Sequence, residues 1–376
     1  SIIAFKVGET LDNYSFNIVA SHSDAPSFKV KQNCELYTGE YLKLNVEGYG
    51  GMLCATWFDR PLSLAGRVIV KQDNVISSKL VNFDKNMLSI PSVPIHYNRN
   101  SNDNATFSLA VDMFPTMGQE KLSFKELLAK EVNVNVDDIL HFDIFLYNRQ
   151  EGYFWGNNDE FMSSCKLDDL QCAYTTLMGF IKSNNSHNIS VYCCFDNEEV
   201  GSTTRQGANS TFLEDVLERI STSLNKSKEE HHVALAKSFM VSADNAHAVH
   251  PNHPELFDPL NKVSMNKGIV IKYNAAQSYT SDSISGSIFT RICQNAEVPT
   301  QVFTNKSGIR GGGTLGNISA THVSIMSVDI GLAQLAMHSA NETSGTLDNE
   351  YMVKGIKEFY DSSLILDENK NIIISK

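Results

Sequence analysis

The chain has 376 residues, a formal net charge of −12 and a pI near 5.4, with 42% hydrophobic and 20% charged residues. This composition is typical of a globular protein that is large enough for one big core or two domains. The acidic balance disfavours a nucleic-acid partner, and no apolar run approaches the ~20 residues that a membrane helix needs.

Early in the chain, the segment from residue 29 to residue 160 contains short β-like runs separated by turn signals. The clearest runs are YLKLNVEGYG, GRVIVKQDN and ILHFDIFLYN. The polar tract NRNSNDNA (98–105) is expected to be a loop. We therefore predict a mainly β domain of residues 29–160, inserted into a second domain formed by residues 1–28 and 161–376.

The second half of the chain alternates between helical and strand-like patterns. Helical spacing of apolar residues, such as Leu170, Tyr174, Leu177 and Ile181, predicts helices over 170–181, 212–224 and 284–292 and near 351–360. Strands are predicted at 188–195, 238–244, 268–273 and 299–305. This alternation predicts an α/β fold with a mixed, largely parallel sheet flanked by helices.

The cysteine pattern indicates a reducing compartment. The seven cysteines are an odd number without the spacing of a disulfide framework, and Cys193 and Cys194 stand inside an apolar run. The opening SIIAFKVGETLDN has neither the basic flank nor the cleavage site of a signal peptide. We predict a cytoplasmic protein. Because the sequence also lacks an initiator Met, we expect further residues before Ser1.

Potential metal ligands gather where the predicted strands end, which is where open α/β sheets bind ligands. A lone histidine or Glu-Glu pair is more often structural or solvated, but the whole set fits a two-metal site. Zn²⁺ suits its imidazole and carboxylate groups best, and Mn²⁺ or Co²⁺ would also be accepted. The set is His22 and Asp24 after NIVAS, Asp168 before a helix, Glu198 and Glu199 after VYCCF, Asp244 after SFMVSA, and His338 in LAMHSANE.

The adjacent glutamates of DNEEVGS can divide the work of such a site. Glu199 would bind metal, while Glu198 would remove a proton from the water that attacks a carbonyl. Cations and a shared proton would also explain why like charges are crowded there.

Six blocks of the sequence resemble the aspartyl aminopeptidase family of co-catalytic metallopeptidases, in the family's order and over nearly the whole chain. They are SHSDAPSFKVK, KLDDL, DNEEVGSTTRQGA, SADNAHAVHPNHPE, GGGTLGNIS and VDIGLAQLAMHSANE. The resemblance implies a general base, Glu198, and an Asp24 that orients His22. It also implies two metal ions that share a bridging Asp168, one held by His22, Asp168 and Asp244 and the other by Asp168, Glu199 and His338.

The same resemblance implies the substrate and the assembly. Family members remove an N-terminal Asp or Glu from peptides, and Lys272 matches the lysine beside the pocket for that acidic side chain. His247 matches a contact near the reacting carbonyl. His96 matches a histidine that reaches from the inserted dimerisation domain into a neighbouring subunit's active site. Dimers of family members combine into a tetrahedral dodecamer.

Several positions depart from the family's pattern. Ser278 stands where a basic residue is common, Gly308 and Gly313 replace an Asp and a Ser or Thr, and Asp169 replaces an Asn beside the bridging ligand. None of these changes removes a predicted ligand or the base, so hydrolytic chemistry is better supported than acidic selectivity. GGGTLG (311–316) lacks the context of a dinucleotide site and is interpreted as a substrate-facing loop.

Two other functions stay open at this point. The same metal core could serve an aminopeptidase of broader, neutral specificity or a deacylase of N-acyl amino acids. A degenerate subunit that only binds or assembles is the non-enzyme alternative, and the complete ligand set argues against it.

Overall fold

A computed structural model describes residues 1–103, 105–119, 121–367, 369 and 371–375. The chain forms an α/β unit of residues 1–25, 153–337 and 342–376, and a β-rich unit of residues 26–152 and 338–341. The predicted boundaries differ from these by a few residues and did not include 338–341 in the β-rich unit. Hydrogen bonds hold that segment there, since the Leu53 N–H donates to the His338 carbonyl and the Asn148 side chain donates to the Ala340 carbonyl.

The strands and helices are numbered in chain order. The strands are β1 Ile2–Val7, β2 Phe16–His22, β3 Ser27–Thr38, β4 Tyr41–Tyr49, β5 Leu62–Gln72, β6 Val75–Asn82, β7 Thr116–Gly118, β8 Ile139–Asn148, β9 Tyr153–Trp155, β10 Phe161–Ser164, β11 Ile189–Phe195, β12 Phe239–Ala243, β13 Ala246–His247, β14 Ile269–Tyr273, β15 Thr300–Thr304, β16 Met326–Gly331, β17 Ala333–Leu335, β18 Glu342–Gly345, β19 Ser363–Leu366 and β20 Ile372–Ser375. The helices are α1 Phe124–Val132, α2 Leu167–Lys182, α3 Phe212–Ser223, α4 Lys228–Ala236, α5 Ser283–Asn295, α6 Leu315–Ser319 and α7 Asp348–Asp361.

A seven-stranded sheet in the order β1-β11-β2-β12-β16-β14-β15 forms the centre of the α/β unit. Four of its six pairings are parallel, and the pairings β1–β11 and β14–β16 are antiparallel. The predicted α/β fold with a mixed, largely parallel sheet is confirmed. A smaller sheet in the order β13-β17-β18-β10-β9 belongs to the same unit.

The central sheet is covered on both faces because alternate residues of each strand point to opposite sides. Val19 and Val241 belong to one buried cluster, together with apolar side chains of α2, α5 and α7. Their neighbours Ile18 and Met240 belong to a second buried cluster, with side chains of α3 and α4. Because the strands are buried on both faces, their sequences are continuous runs of apolar residues.

The register of the parallel strands brings their carboxyl ends to one edge. Phe195, the last residue of β11, pairs with His22, the last residue of β2. On the other side of β2, Ser242 of β12 pairs with Ala20, so that the residues after β12 emerge beside His22. The potential ligands that follow these strands therefore meet at the same edge of the sheet.

The β-rich unit has a six-stranded antiparallel sheet in the order β6-β5-β8-β3-β4-β7. Its core contains Phe28, Leu64 and Phe142, with Leu128 of α1 packed among them. The described part of the 98–105 tract has neither strand nor helix, as predicted, and Asn104 lies outside the described residues.

Three of the four apolar residues whose spacing predicts helix α2 are exposed, and only Leu177 packs against the core. Leu170, Tyr174 and Ile181 are 42%, 63% and 59% exposed, whereas Cys172 and Phe180 are buried in the core. The exposed apolar stripe of α2 is therefore available for contact with another surface. Within the described residues, no helix has the length and apolar character that crossing a membrane requires.

Candidate metal centre

Two groups of carboxylate and imidazole side chains lie close enough to hold metal ions. One contains His22, Asp168 and Glu199, and the other contains Asp168, Asp169 and Asp244. Within each group the ligand atoms lie within 4.8 Å of one another, and all five residues belong to the α/β unit. Asp168 belongs to both groups, which is the arrangement expected of a ligand that bridges two ions.

The spacing of these side chains fits a shared cation better than direct hydrogen bonds. His22 Nε2 lies 3.6 Å from Asp168 Oδ1 and 3.9 Å from Asp244 Oδ1. These separations are too long for good hydrogen bonds. Two ligands on one tetrahedral zinc ion, each about 2.0–2.1 Å from the metal, lie about 3.3 Å apart. The donor set and its spacing therefore fit divalent zinc.

Without a cation, burial disfavours the charged form of the acidic side chains. Burial raises the pKa of Asp244 to about 7 and also raises that of Glu198. Burial acts to lower the pKa of His22, but its contacts with Asp168 and Asp24 raise that pKa well above its usual value. A bound divalent cation would favour the charged carboxylates and the neutral imidazole.

Asp24 connects His22 to the turn that contains Glu198 and Glu199. Its Oδ1 accepts a hydrogen bond from the Glu198 N–H and its Oδ2 accepts one from the Glu199 N–H, both at 3.1 Å. His22 Nδ1 lies 3.4 Å from the same Oδ1 and 3.1 Å from the Asp24 carbonyl oxygen. One carboxylate thereby positions the histidine and the turn that carries both glutamates.

Two buried acids beside Asp168 were not expected to take part in the site. The Asp168 N–H donates to Glu342 Oε2 at 2.9 Å, and Glu342 is only 1% exposed. Asp169 Oδ2 accepts a hydrogen bond from the His22 N–H at 3.0 Å. The sequence contains no signal for Glu342, because its partner Asp168 lies 174 residues away in the chain.

Lys272 is enclosed by protein groups near the centre. It is 2% exposed, its Nζ donates to the Asn245 carbonyl at 2.8 Å, and the same atom lies 3.6 Å from Asp244 Oδ2. Burial acts to lower the pKa of Lys272, but Asp244 and other negative groups raise it overall. The lysine is therefore a charged partner of Asp244 as well as a candidate for the acidic pocket.

The remaining predicted site residues, which are three histidines, belong to neither of the two ligand groups. His247 ends strand β13 with its side chain exposed, 6.3 Å from the Phe303 ring between centroids. His96 lies exposed in a turn of the β-rich unit. His338 has a φ of 65° and belongs to the segment 338–341 of the same unit. The roles of these three histidines stay predictions.

Replacing Gly331 by alanine is expected to weaken zinc binding at least about tenfold. A Cβ at this position would lie 2.0 Å from the Asp244 carbonyl oxygen, so strand β16 or Asp244 would have to move. Zinc affinity can be measured by competition with a chromogenic chelator. Gly118→Ala is the control because its Cβ would meet no atom within 4 Å. Unchanged affinity in Gly331→Ala would show that the position of Asp244 does not limit metal binding.

Comparison with known proteins identifies the family. The family model described as "Aminopeptidase I zinc metalloprotease (M18)" matches residues 1–360. The chain is 47% identical over 370 residues to a probable M18 family aminopeptidase 2 of Clostridium novyi, covering 96% of this chain and 86% of the relative.

Solved structures agree with this match. The structure of the Ape4 and Nbr1 complex superposes with a TM-score of 0.91 at 33% identity, over 96% of this chain and 74% of that one. The S. cerevisiae mApe1 dodecamer gives a TM-score of 0.81 at 27% identity, over 95% and 82%. The chain belongs to the M18 family of aminopeptidases and is a metallopeptidase.

Proposed function

We propose that the protein is a two-metal aminopeptidase that removes N-terminal residues from peptides, with Asp and Glu preferred. The observation that carries the proposal is the cluster of His22, Asp168, Glu199 and Asp244, with Glu198 on the same turn as Glu199. Glu198 lies beside the ligands without belonging to either ligand group, which is the position a general base needs.

The proposed ligands of the first ion are His22, Asp168 and Asp244, and those of the second are Asp168, Glu199 and His338. Zn²⁺ fits this mixture of imidazole and carboxylate, and Mn²⁺ or Co²⁺ are alternatives. When bound, the cations would polarise the scissile carbonyl and lower the pKa of the attacking water.

Glu198 moves the proton in this proposal. Its carboxylate takes a proton from the attacking water and later gives it to the nitrogen of the departing amine. Burial raises the pKa of Glu198, which brings its proton affinity closer to that required at neutral pH. Asp24 fixes the backbone of Glu198, so the base has a defined position. His247, exposed at the end of β13, is proposed to contact the substrate near the reacting carbonyl.

The preference for Asp or Glu is assigned to Lys272, the buried cation 3.6 Å from Asp244. A specific observation favours a second candidate, an aminopeptidase of broader, neutral specificity. The Lys272 ammonium already donates to the Asn245 carbonyl, and Ser278 supplies no second cation. The two candidates differ only in substrate selectivity.

We further propose that the protein is cytoplasmic and forms dimers that assemble into a dodecamer. The cysteines, seven in number and without the spacing of a disulfide framework, support a reducing compartment. The exposed stripe of α2 supports self-association, because apolar side chains such as Tyr174 gain from being covered. The dodecameric state of S. cerevisiae mApe1 supports the size of the assembly. In that assembly His96 would reach a neighbouring subunit's active site.

The test is hydrolysis of Asp-, Glu-, Leu- and Lys-p-nitroanilide by chelator-stripped protein, with and without added Zn²⁺, Mn²⁺ or Co²⁺. We expect metal-dependent release, with kcat/KM for Asp and Glu at least about tenfold above Leu, which corresponds to about 1.4 kcal/mol. Equal rates for Leu would favour the broader aminopeptidase. Release of the free amino acid from N-acetyl-Asp or N-acetyl-Leu, without release of p-nitroaniline from the anilides, would favour a deacylase. No hydrolysis of any of these substrates with any metal would contradict the proposal.

A further inference from the structure

A buried carboxylate in strand β16 joins two loops of the α/β unit. Asp329 is fully buried. Its Oδ2 accepts hydrogen bonds from the N–H and the hydroxyl of Thr280, at 2.5 Å and 2.8 Å. Its Oδ1 accepts a hydrogen bond from the hydroxyl of Thr314 at 2.6 Å. The backbone N–H of Asp329 donates to Ser281 Oγ at 2.9 Å. A buried charge is tolerated only when it is compensated in this way.

The two loops begin at the same edge of the sheet. Strands β14 and β15 are parallel neighbours, and their last residues, Tyr273 and Thr304, pair with each other. The chain after β14 reaches Asp329 at Thr280, and the chain after β15 reaches it at Thr314. We call residues 274–281 the first loop and residues 305–314 the second loop. Because Asp329 bonds to one threonine of each, it fixes the two loops relative to each other.

The first loop and the helix that directly follows the second loop contact residues that lead to the metal centre. In the first loop, the ring of Tyr279 lies 5.5 Å from Lys272 Nζ, and that Nζ lies 3.6 Å from Asp244. Directly after the second loop, a Cβ on Gly316 would lie 3.0 Å both from Asp329 Oδ2 and from the Cβ of Ser242. Ser242 belongs to strand β12, which leads to Asp244, so the segments on either side of Asp329 contact Lys272 and the strand that precedes that ligand.

We propose that Asp329 is a positioning residue that sets the shape of the pocket for the substrate's N-terminal side chain. It would act through Thr280 and Thr314, without touching the substrate or the metals itself. The inference deepens the proposed function and rests on it. It explains how Ser278 and Gly313, which depart from the family's pattern, can alter selectivity, since each stands within two residues of a threonine bonded to Asp329.

The test removes one hydroxyl from this connection. Thr314→Val keeps the shape of the side chain but cannot donate to Asp329. We expect trypsin to cleave after Lys306 or Arg310, both exposed in the second loop, about tenfold faster, since a hydrogen bond to a charged group is lost. KM for the preferred anilide should rise about tenfold while kcat changes less than about threefold and zinc affinity is unchanged.

Two further variants separate positioning from general stability. Thr175→Val is the control, because Thr175 is equally buried in α2 and its hydroxyl bonds only within that helix, to the Gln171 carbonyl at 2.7 Å and to the Cys172 carbonyl at 3.3 Å. It should lower thermal stability without changing trypsin cleavage or KM. Thr314→Ser, which keeps the hydroxyl, should restore the wild-type cleavage rate and KM.

The readouts distinguish failure of the inference from failure of the proposed function. If wild-type protein hydrolyses the anilides but Thr314→Val changes neither trypsin cleavage nor KM, the role of Asp329 is overturned and the proposed function stands. If wild-type protein hydrolyses no anilide, the proposed function fails. In that case, calorimetry measures the binding of L-aspartate and of L-leucine to the zinc-loaded wild type and to zinc-loaded Thr314→Val. The inference is overturned if the two proteins bind these amino acids with equal affinity, or if neither protein binds them.

Discussion

Replacing Glu198 by glutamine is expected to abolish hydrolysis while the protein keeps its full metal content. Glutamine has the same shape but cannot accept a proton from water, and general-base catalysis contributes about 10²–10⁴-fold in rate. We expect kcat to fall at least about 1,000-fold with zinc content unchanged. Zinc retention is expected because Glu198 belongs to neither group of close ligand atoms, whereas its neighbour Glu199 belongs to one. Steady-state kinetics and elemental analysis of the same preparation provide both measurements.

Glu229→Gln is the matched control for this experiment. Glu229 lies exposed in the first turn of α4, outside the candidate centre, so the same loss of charge should leave kcat unchanged. Hydrolysis retained in Glu198→Gln would remove Glu198 from the base role. Loss of zinc together with activity would instead make Glu198 a ligand.

The parts of the fold that could be predicted follow from repeated local patterns. Continuous apolar runs mark strands that are buried on both faces, and the ligands that follow β2, β11 and β12 meet because parallel strands end at one edge. His22, Glu199 and Asp244 could therefore be placed together from the chain alone. Their actual grouping depends on distances that the sequence does not contain.

The parts that could not be predicted depend on contacts between distant segments. The apolar spacing predicts that α2 is a helix but does not show which face is buried: Tyr174 is exposed, and mainly small and polar residues form the buried face. Asp329 stands in an apolar strand, and its threonine partners are 49 and 15 residues away. Glu342 bonds to a backbone N–H 174 residues away. Such polar contacts leave no periodic signal in the sequence.

Two substitutions at adjacent positions distinguish the roles of the two ligand groups in the candidate metal centre. Asp168→Asn is expected to lower zinc affinity at least about 100-fold and to remove hydrolysis, because Asp168 belongs to both groups. Zinc at about 100 times its dissociation constant stabilises a protein by about 2.7 kcal/mol. We therefore expect added zinc to raise the melting temperature of the wild type but not that of Asp168→Asn.

Asp169→Asn, one residue away, makes the same chemical change and is expected to keep both zinc and activity. The asparagine oxygen can still accept the hydrogen bond from the His22 N–H. Burial raises the pKa of Asp169 well above its usual value, and asparagine resembles the neutral form that burial favours. Loss of zinc in Asp169→Asn would instead identify Asp169 as a ligand, in the group that it forms with Asp168 and Asp244. Because the two substitutions are at adjacent positions of the chain and both side chains are buried, a difference in zinc binding between them reports on ligation rather than on general stability.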